Sequence, residues 1–151
     1  MTDKKIPPCM IYIDKEGQWF HKGVEMIHRN IIRHFYEHME MDLEGRYIIS
    51  WRGECCHLEV EDTAYTVRRA ELTGSDRAED SRISLYLSDD RQEELAPDTL
   101  YVGRDNVLYC RVREQTFPAR FSRAAYYQLA EYLEEEDGRY FLPLNGRRYL
   151  L

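Results

Sequence analysis

The stretch Ile27–Leu58, IHRNIIRHFYEHMEMDLEGRYIISWRGECCHL, reads as a helix, an acidic turn closed by glycine, and a hairpin. The chain repeats that order from Phe121 to Leu151, FSRAAYYQLAEYLEEEDGRYFLPLNGRRYLL, with one residue fewer before the glycine. In this alignment Arg29, Glu37, Gly45, Arg46, Tyr47 and Gly53 meet identical residues at Arg123, Glu131, Gly138, Arg139, Tyr140 and Gly146. The apolar stripe Ile27, Ile31, Phe35 and Met39, at helical period, falls on Phe121, Ala125, Leu129 and Leu133. The pattern predicts a doubled unit.

Working outward, Met10–Ile13 and Gln18–His21 flank the turn Asp14-Lys15-Glu16-Gly17 and predict a hairpin ahead of the first helix. The helix is expected to end near Met41, with Gly45 taking the positive φ of its exit. Arg46–Ser50 and Glu54–Val60 follow as a hairpin with Arg52-Gly53 at its tip, and Tyr65–Leu72 as a further strand. Residues 73–82, TGSDRAEDSR, are small, polar and charged, the composition of a linker. Beyond it, strands are expected at Ile83–Leu87, Thr99–Val102, Val107–Val112 and Phe117–Arg120. A helix capped by Ser122 then runs to about Glu135, and a last hairpin turns at Asn145-Gly146. The domains expected are thus 9–72 and 83–151, joined by 73–82. Neither helix can bury its stripe alone, so each unit should be a small antiparallel sheet curled around one helix, an α+β fold.

At 151 residues with 43% apolar and 13% aromatic content, the chain can build its core without metal or bridges. Twelve tyrosines suit half-buried sheet faces. The net charge of −7 argues against nucleic-acid partners. No stretch has the apolar length of a membrane span, and the leader MTDKKIPPCM lacks the apolar run of a signal peptide. Cys9, Cys55, Cys56 and Cys110 match neither a zinc ribbon nor a disulfide framework, so free thiols in a reducing cytoplasm are expected.

The run DKEGQWFHKG (14–23), the helix beginning near His28-Arg29, GRYIIS (45–50), and Val60-Glu61-Asp62 followed by Tyr65 together resemble a bacterial family, domain of unknown function 1285. LYLSDD (85–90) and RFSRAAYYQLAEY (120–132) carry the likeness into the second half. The sequence departs from the family's pattern between Gly23 and Arg29, and again where Ser50-Trp51 stands in place of a threonine-proline pair. The resemblance implies two related domains, the second loosely similar to pleckstrin-homology folds, and a role in signal transduction. It implies no activity.

Chemistry is sparse. His34 and His38 have the spacing of metal ligands on a helix, with Asp42 continuing the row and Cys55, Cys56 or His57 as possible third donors. Ordinary rim histidines are the preferred reading, and neither metal nor cofactor is expected. Cys55 or Cys110 as a nucleophile needs a base that the sequence does not place. The glycines are isolated turn residues and form no phosphate loop. Glu134-Glu135-Glu136-Asp137 reads as an acidic helix end. Arg111, Arg113, Arg120 and Arg123, joined by Arg147 and Arg148, concentrate positive charge in the second half. They can hold an anion by bidentate contacts or pair with glutamates across strands.

The reading that follows is a non-catalytic cytoplasmic binding or adaptor module, possible partners being a protein, a peptide or a small anionic ligand. Its site is expected in a groove between the units, formed by Trp19, Arg29, Asp62 and Arg123. Arg111, Arg113 and Arg120 are the candidate anion contacts. The alternatives are a small metal- or thiol-dependent hydrolase using His34, His38 and Cys55, and a structural protein that self-associates through exposed strand edges.

Overall fold

Ile11 and Ile13 point inward and Tyr12 outward, the alternation that makes Pro8–Ile13 a half-buried strand, β1. A computed structural model describes residues 6–74 and 81–151. The chain divides into two compact units, the first ending at Ala64 and the second spanning Tyr65–Leu151.

In the first unit β1 is followed by β2 (Trp19–His21), β3 (Val24–Glu25), α1 (Arg29–Glu37), β4 (Met39–Met41), β5 (Tyr47–Trp51) and β6 (Glu54–Val60). They form one six-stranded sheet in the order β3-β2-β1-β6-β5-β4. The sheet is mixed, because β1 and β6 run parallel while the other pairs are antiparallel. That parallel pair slips register between Pro8 and Tyr12, where Met10 adopts a φ of +62°. The hairpin tip is Arg52-Gly53, both at positive φ, as the turn residues predict.

Helix α1 stops four residues before the expected end. Met39 pairs with Ile49 and Met41 with Tyr47, so the segment that continues the helical period on paper is an edge strand. Gly45, at φ +80°, closes the β4–β5 turn instead of the helix. The helix also buries a face rotated by one residue. Ile32 and Tyr36 enter the core, whereas Ile31 is 47% and Ile27 72% exposed.

The second unit contains β7 (Tyr65–Thr73), β8 (Arg82–Leu87), β9 (Gln92–Glu94), β10 (Tyr101–Val102), β11 (Leu108–Val112), β12 (Phe117–Phe121), α2 (Arg123–Ala130), β13 (Glu134–Glu136), β14 (Arg139–Leu144) and β15 (Arg147–Leu150). Six strands make a mixed sheet, β10-β11-β12-β7-β8-β9, and the last three a separate antiparallel one. Strand β7, expected in the first unit, belongs to the second. It pairs parallel with β12, Tyr65 opposite Ala119, and antiparallel with β8 from Val67–Leu87 to Thr73–Arg82. The expected linker 73–82 therefore joins two neighbouring strands of one sheet, and its residues 75–80 lie outside those described.

Ser122 caps α2 as expected, its Oγ accepting the Ala125 N–H at 3.1 Å. The helix is fastened to β7 by the Ala70 N–H, which donates to Gln128 Oε1 at 2.8 Å. It ends at Ala130, and the supposed acidic helix end is β13, paired with β14. The repeat is real but partial. In both units a short helix leads into a three-stranded meander, β4-β5-β6 and β13-β14-β15. Only in the first does the meander fuse with the strands ahead of the helix.

Candidate functional site

The consequence of the rotated helix face is a hollow in the first unit. Lys22-Gly23, both at positive φ, fold the two-residue β3 back onto β2, with His21 opposite Val24. The chain then passes through Met26, Ile27 and His28 into α1. This leaves Ile27, Ile31 and Phe35 facing a cavity of about 490 Å³ rather than the core. Cys9, Ile11, Val24 and Cys56 complete its walls, and His21, Glu25 and His28 are the polar groups lining it. Small-molecule sites are typically of this size, apolar with a few polar groups.

One wall of the cavity is covalent. Cys9 and Cys56 form a disulfide that ties β1 to β6 beside the register slip. The expectation of four free thiols fails for these two; sequence spacing could not reveal that a parallel strand pair brings them together. Cys55 and Cys110 are free. Cys110 is fully buried, and that burial pushes its thiol up to about 12, the opposite of an activated nucleophile. Cys55 Sγ faces Ser50 Oγ at 3.5 Å, a hydroxyl and not a base. An alkylating reagent is accordingly expected to modify Cys55 in the native protein and to reach Cys110 only on unfolding, which intact-mass measurement would check.

Trp19 lies in the core. It is 2% exposed, its Nε1–H donates to Tyr36 Oη at 3.1 Å, and the Tyr36 hydroxyl donates to the Ala64 carbonyl at 2.7 Å. Its ring stacks at 6.1 Å on Phe35, which in turn lines the cavity. Trp19 thus supports the hollow from behind and is not a ligand anchor. Arg29, the first residue of α1, and Asp62, in the loop after β6, are half-buried and belong to this unit; Arg123 belongs to the other.

The arginine cluster disperses once folded. Arg111 Nη1 donates to the Gln115 and Thr116 carbonyls at 3.4 and 3.3 Å, clamping the β11–β12 turn. Arg113 Nη1 donates to Tyr65 Oη at 2.8 Å, and its guanidinium sits 5.0 Å from the Phe117 ring centroid. The Arg113 backbone N–H donates to Glu93, whose carboxyl is held above the usual range by burial. Arg148 pairs with Glu136 at 2.5 Å over the Phe141 ring. Arg120 and the exposed Arg123 remain together at a shallow hollow of about 290 Å³ beside Asp105, Asn106 and Tyr126.

Among the described residues no helix is long and apolar enough to cross a membrane. No family model and no curated protein matches the chain. Solved structures do. A DUF1285 family protein from Silicibacter pomeroyi DSS-3 superposes with a TM-score of 0.80 at 18% identity, over 99% of this chain and 89% of that one. A second DUF1285 family protein, from Shewanella baltica OS155, gives a TM-score of 0.67 at 16% identity, over 85% of this chain and 94% of the other. The fold is therefore one shared with DUF1285 family proteins, the family that the sequence motifs resemble.

Proposed function

We propose that this chain is a non-catalytic binding module whose first unit takes a small molecule with an apolar body and a hydrogen-bonding head. One observation carries the reading: the stripe Ile27, Ile31 and Phe35 of a helix entry and helix is left facing a cavity of about 490 Å³ instead of a core. Burying such side chains against a ligand contributes about 25 cal/mol per Å² of apolar surface, so an uncovered stripe is a source of affinity. His21 and His28 supply hydrogen-bonding groups among the lining residues. The thiol version of the hydrolase alternative is disfavoured, since burial holds the Cys110 thiol protonated and Cys55 faces a hydroxyl.

A signalling role and a pleckstrin-like second unit, both implied by the family resemblance, are compatible with recognition without chemistry. The cytoplasmic setting expected from free thiols is not supported by the Cys9–Cys56 bridge, since disulfides persist mainly in oxidising compartments.

The test uses 1-anilinonaphthalene-8-sulfonate and straight-chain carboxylic acids as probes. Saturable binding at one site per chain is expected, with the acids displacing the dye. Ile31→Asp should abolish it while moving stability by no more than about 0.5 kcal/mol, because Ile31 is a surface position. Undiminished binding to Ile31→Asp, or no saturable site in the unaltered protein, would remove the proposal.

A further inference from the structure

The end of α1 carries a second constellation, made of residues that do not line the cavity. Residues three and four apart on a helix share a face, and His34, Glu37 and His38 stand at that spacing. Each contributes one donor atom, a ring nitrogen or a carboxylate oxygen, to a group lying within 4.8 Å of one another. A tetrahedral shell with ligands at 2.0–2.1 Å places neighbouring donors about 3.3 Å apart. Binding an ion requires the three donors to draw together from that spread.

Two further features prepare the group for a cation. His38 Nδ1 lies 2.9 Å from the His34 carbonyl oxygen. A carbonyl only accepts, so Nδ1 carries the proton and Nε2 keeps the lone pair that a metal requires. Metal-binding histidines are commonly oriented through such a bond from the second nitrogen. Trp51 then meets both imidazoles edge-on, with centroids 4.6 Å from His34 and 4.4 Å from His38, and Arg52 lies 5.0 Å over the Trp51 ring. The rings are thereby restrained side by side, 4.6 Å apart, on a surface that a hydrated ion can reach. Asp42, which continues the row in sequence, is turned away: it accepts from the backbone of Glu44 and Arg46 and from the Arg46 side chain.

We propose that His34, Glu37 and His38 form a site for a divalent transition-metal ion, with Zn²⁺ favoured and at least one position left to water. Two imidazoles and one carboxylate suit zinc, copper or nickel and leave magnesium and calcium, which prefer all-oxygen shells, poorly served. Such an ion staples the final turn of α1, the point where helix gives way to β4. It stabilises the native state through binding.

The full chain, dialysed against chelator, is titrated with ZnCl₂, NiCl₂ or CuCl₂ by calorimetry and tryptophan fluorescence. One equivalent per chain is expected, with Cu²⁺ quenching Trp51. Trp51→Phe removes that quench and retains the stoichiometry. His34→Gln/His38→Gln weakens binding by at least roughly 100-fold, and Glu37→Gln by about tenfold or more. Circular dichroism shows that each variant is folded, and Cys55→Ser keeps full affinity. Lack of stoichiometric metal in the unaltered chain overturns the proposal. So does unchanged affinity in the double histidine variant, or affinity that disappears with Cys55→Ser.

Discussion

Trp19→Ala is expected to destabilise the protein by about 3–5 kcal/mol, the usual consequence of emptying a large aromatic site in a core. The ring is 2% exposed, stacks on Phe35 and meets the edge of Tyr36 at 4.8 Å. Its loss removes those contacts and leaves the Tyr36 hydroxyl without the Trp19 donor. Because a domain of this kind is stable by only about 5–15 kcal/mol, much of the population should unfold in mild denaturant. Tyr36→Phe tests the polar half of the same arrangement. Removing one hydroxyl deprives both Trp19 Nε1 and the Ala64 carbonyl of a partner and should lower stability by about 1–3 kcal/mol. Urea midpoints measure both. A Trp19→Ala loss below about 1 kcal/mol would contradict the core role assigned to the ring.

The second large effect concerns the bridge. Cys9 and Cys56 are 47 residues apart in sequence. On the chain-entropy account, closing a loop of that length restricts the unfolded state by about 4 kcal/mol, and measured disulfides span roughly 0–5. Reduction is therefore expected to lower the urea midpoint clearly, and Cys9→Ser/Cys56→Ser to reproduce that lower value and ignore the reductant. Since both sulfurs stand in the cavity wall, dye affinity should fall in the same variants. Equal midpoints with and without dithiothreitol would show that the bridge contributes no stability.

Much of the architecture could be read from local chemistry. Arg52-Gly53 and Asn145-Gly146 require positive φ and therefore turns, and Ser122 caps the helix it precedes. What could not be read was set by partners distant in sequence. Met39–Met41 carries a helical pattern, yet pairing with Tyr47–Ile49 makes it a strand. The α1 face was ambiguous because Ile31 and Ile32, and Phe35 and Tyr36, are adjacent apolar residues; Trp19 decided which pair was covered. Tyr65–Thr73 changed units because its parallel partner β12 begins at Phe117. The arginines looked like a cluster only in sequence; folding sends Arg111, Arg113 and Arg148 to separate carbonyl, ring and carboxylate partners. The histidine pair was visible from its spacing. Glu37 carries no mark of its own in the sequence, where Asp42 continues the histidine row; folding gives Asp42 to its own turn instead.

The edge strand β13 consists of Glu134, Glu135 and Glu136, all exposed. Were a second copy to add itself to that border in register, it would set three carboxylates against three more at a strand spacing of about 4.8 Å. Each glutamate thus acts as a gatekeeper against fibre growth. The same triplet weighs against a polymer-forming role through this edge.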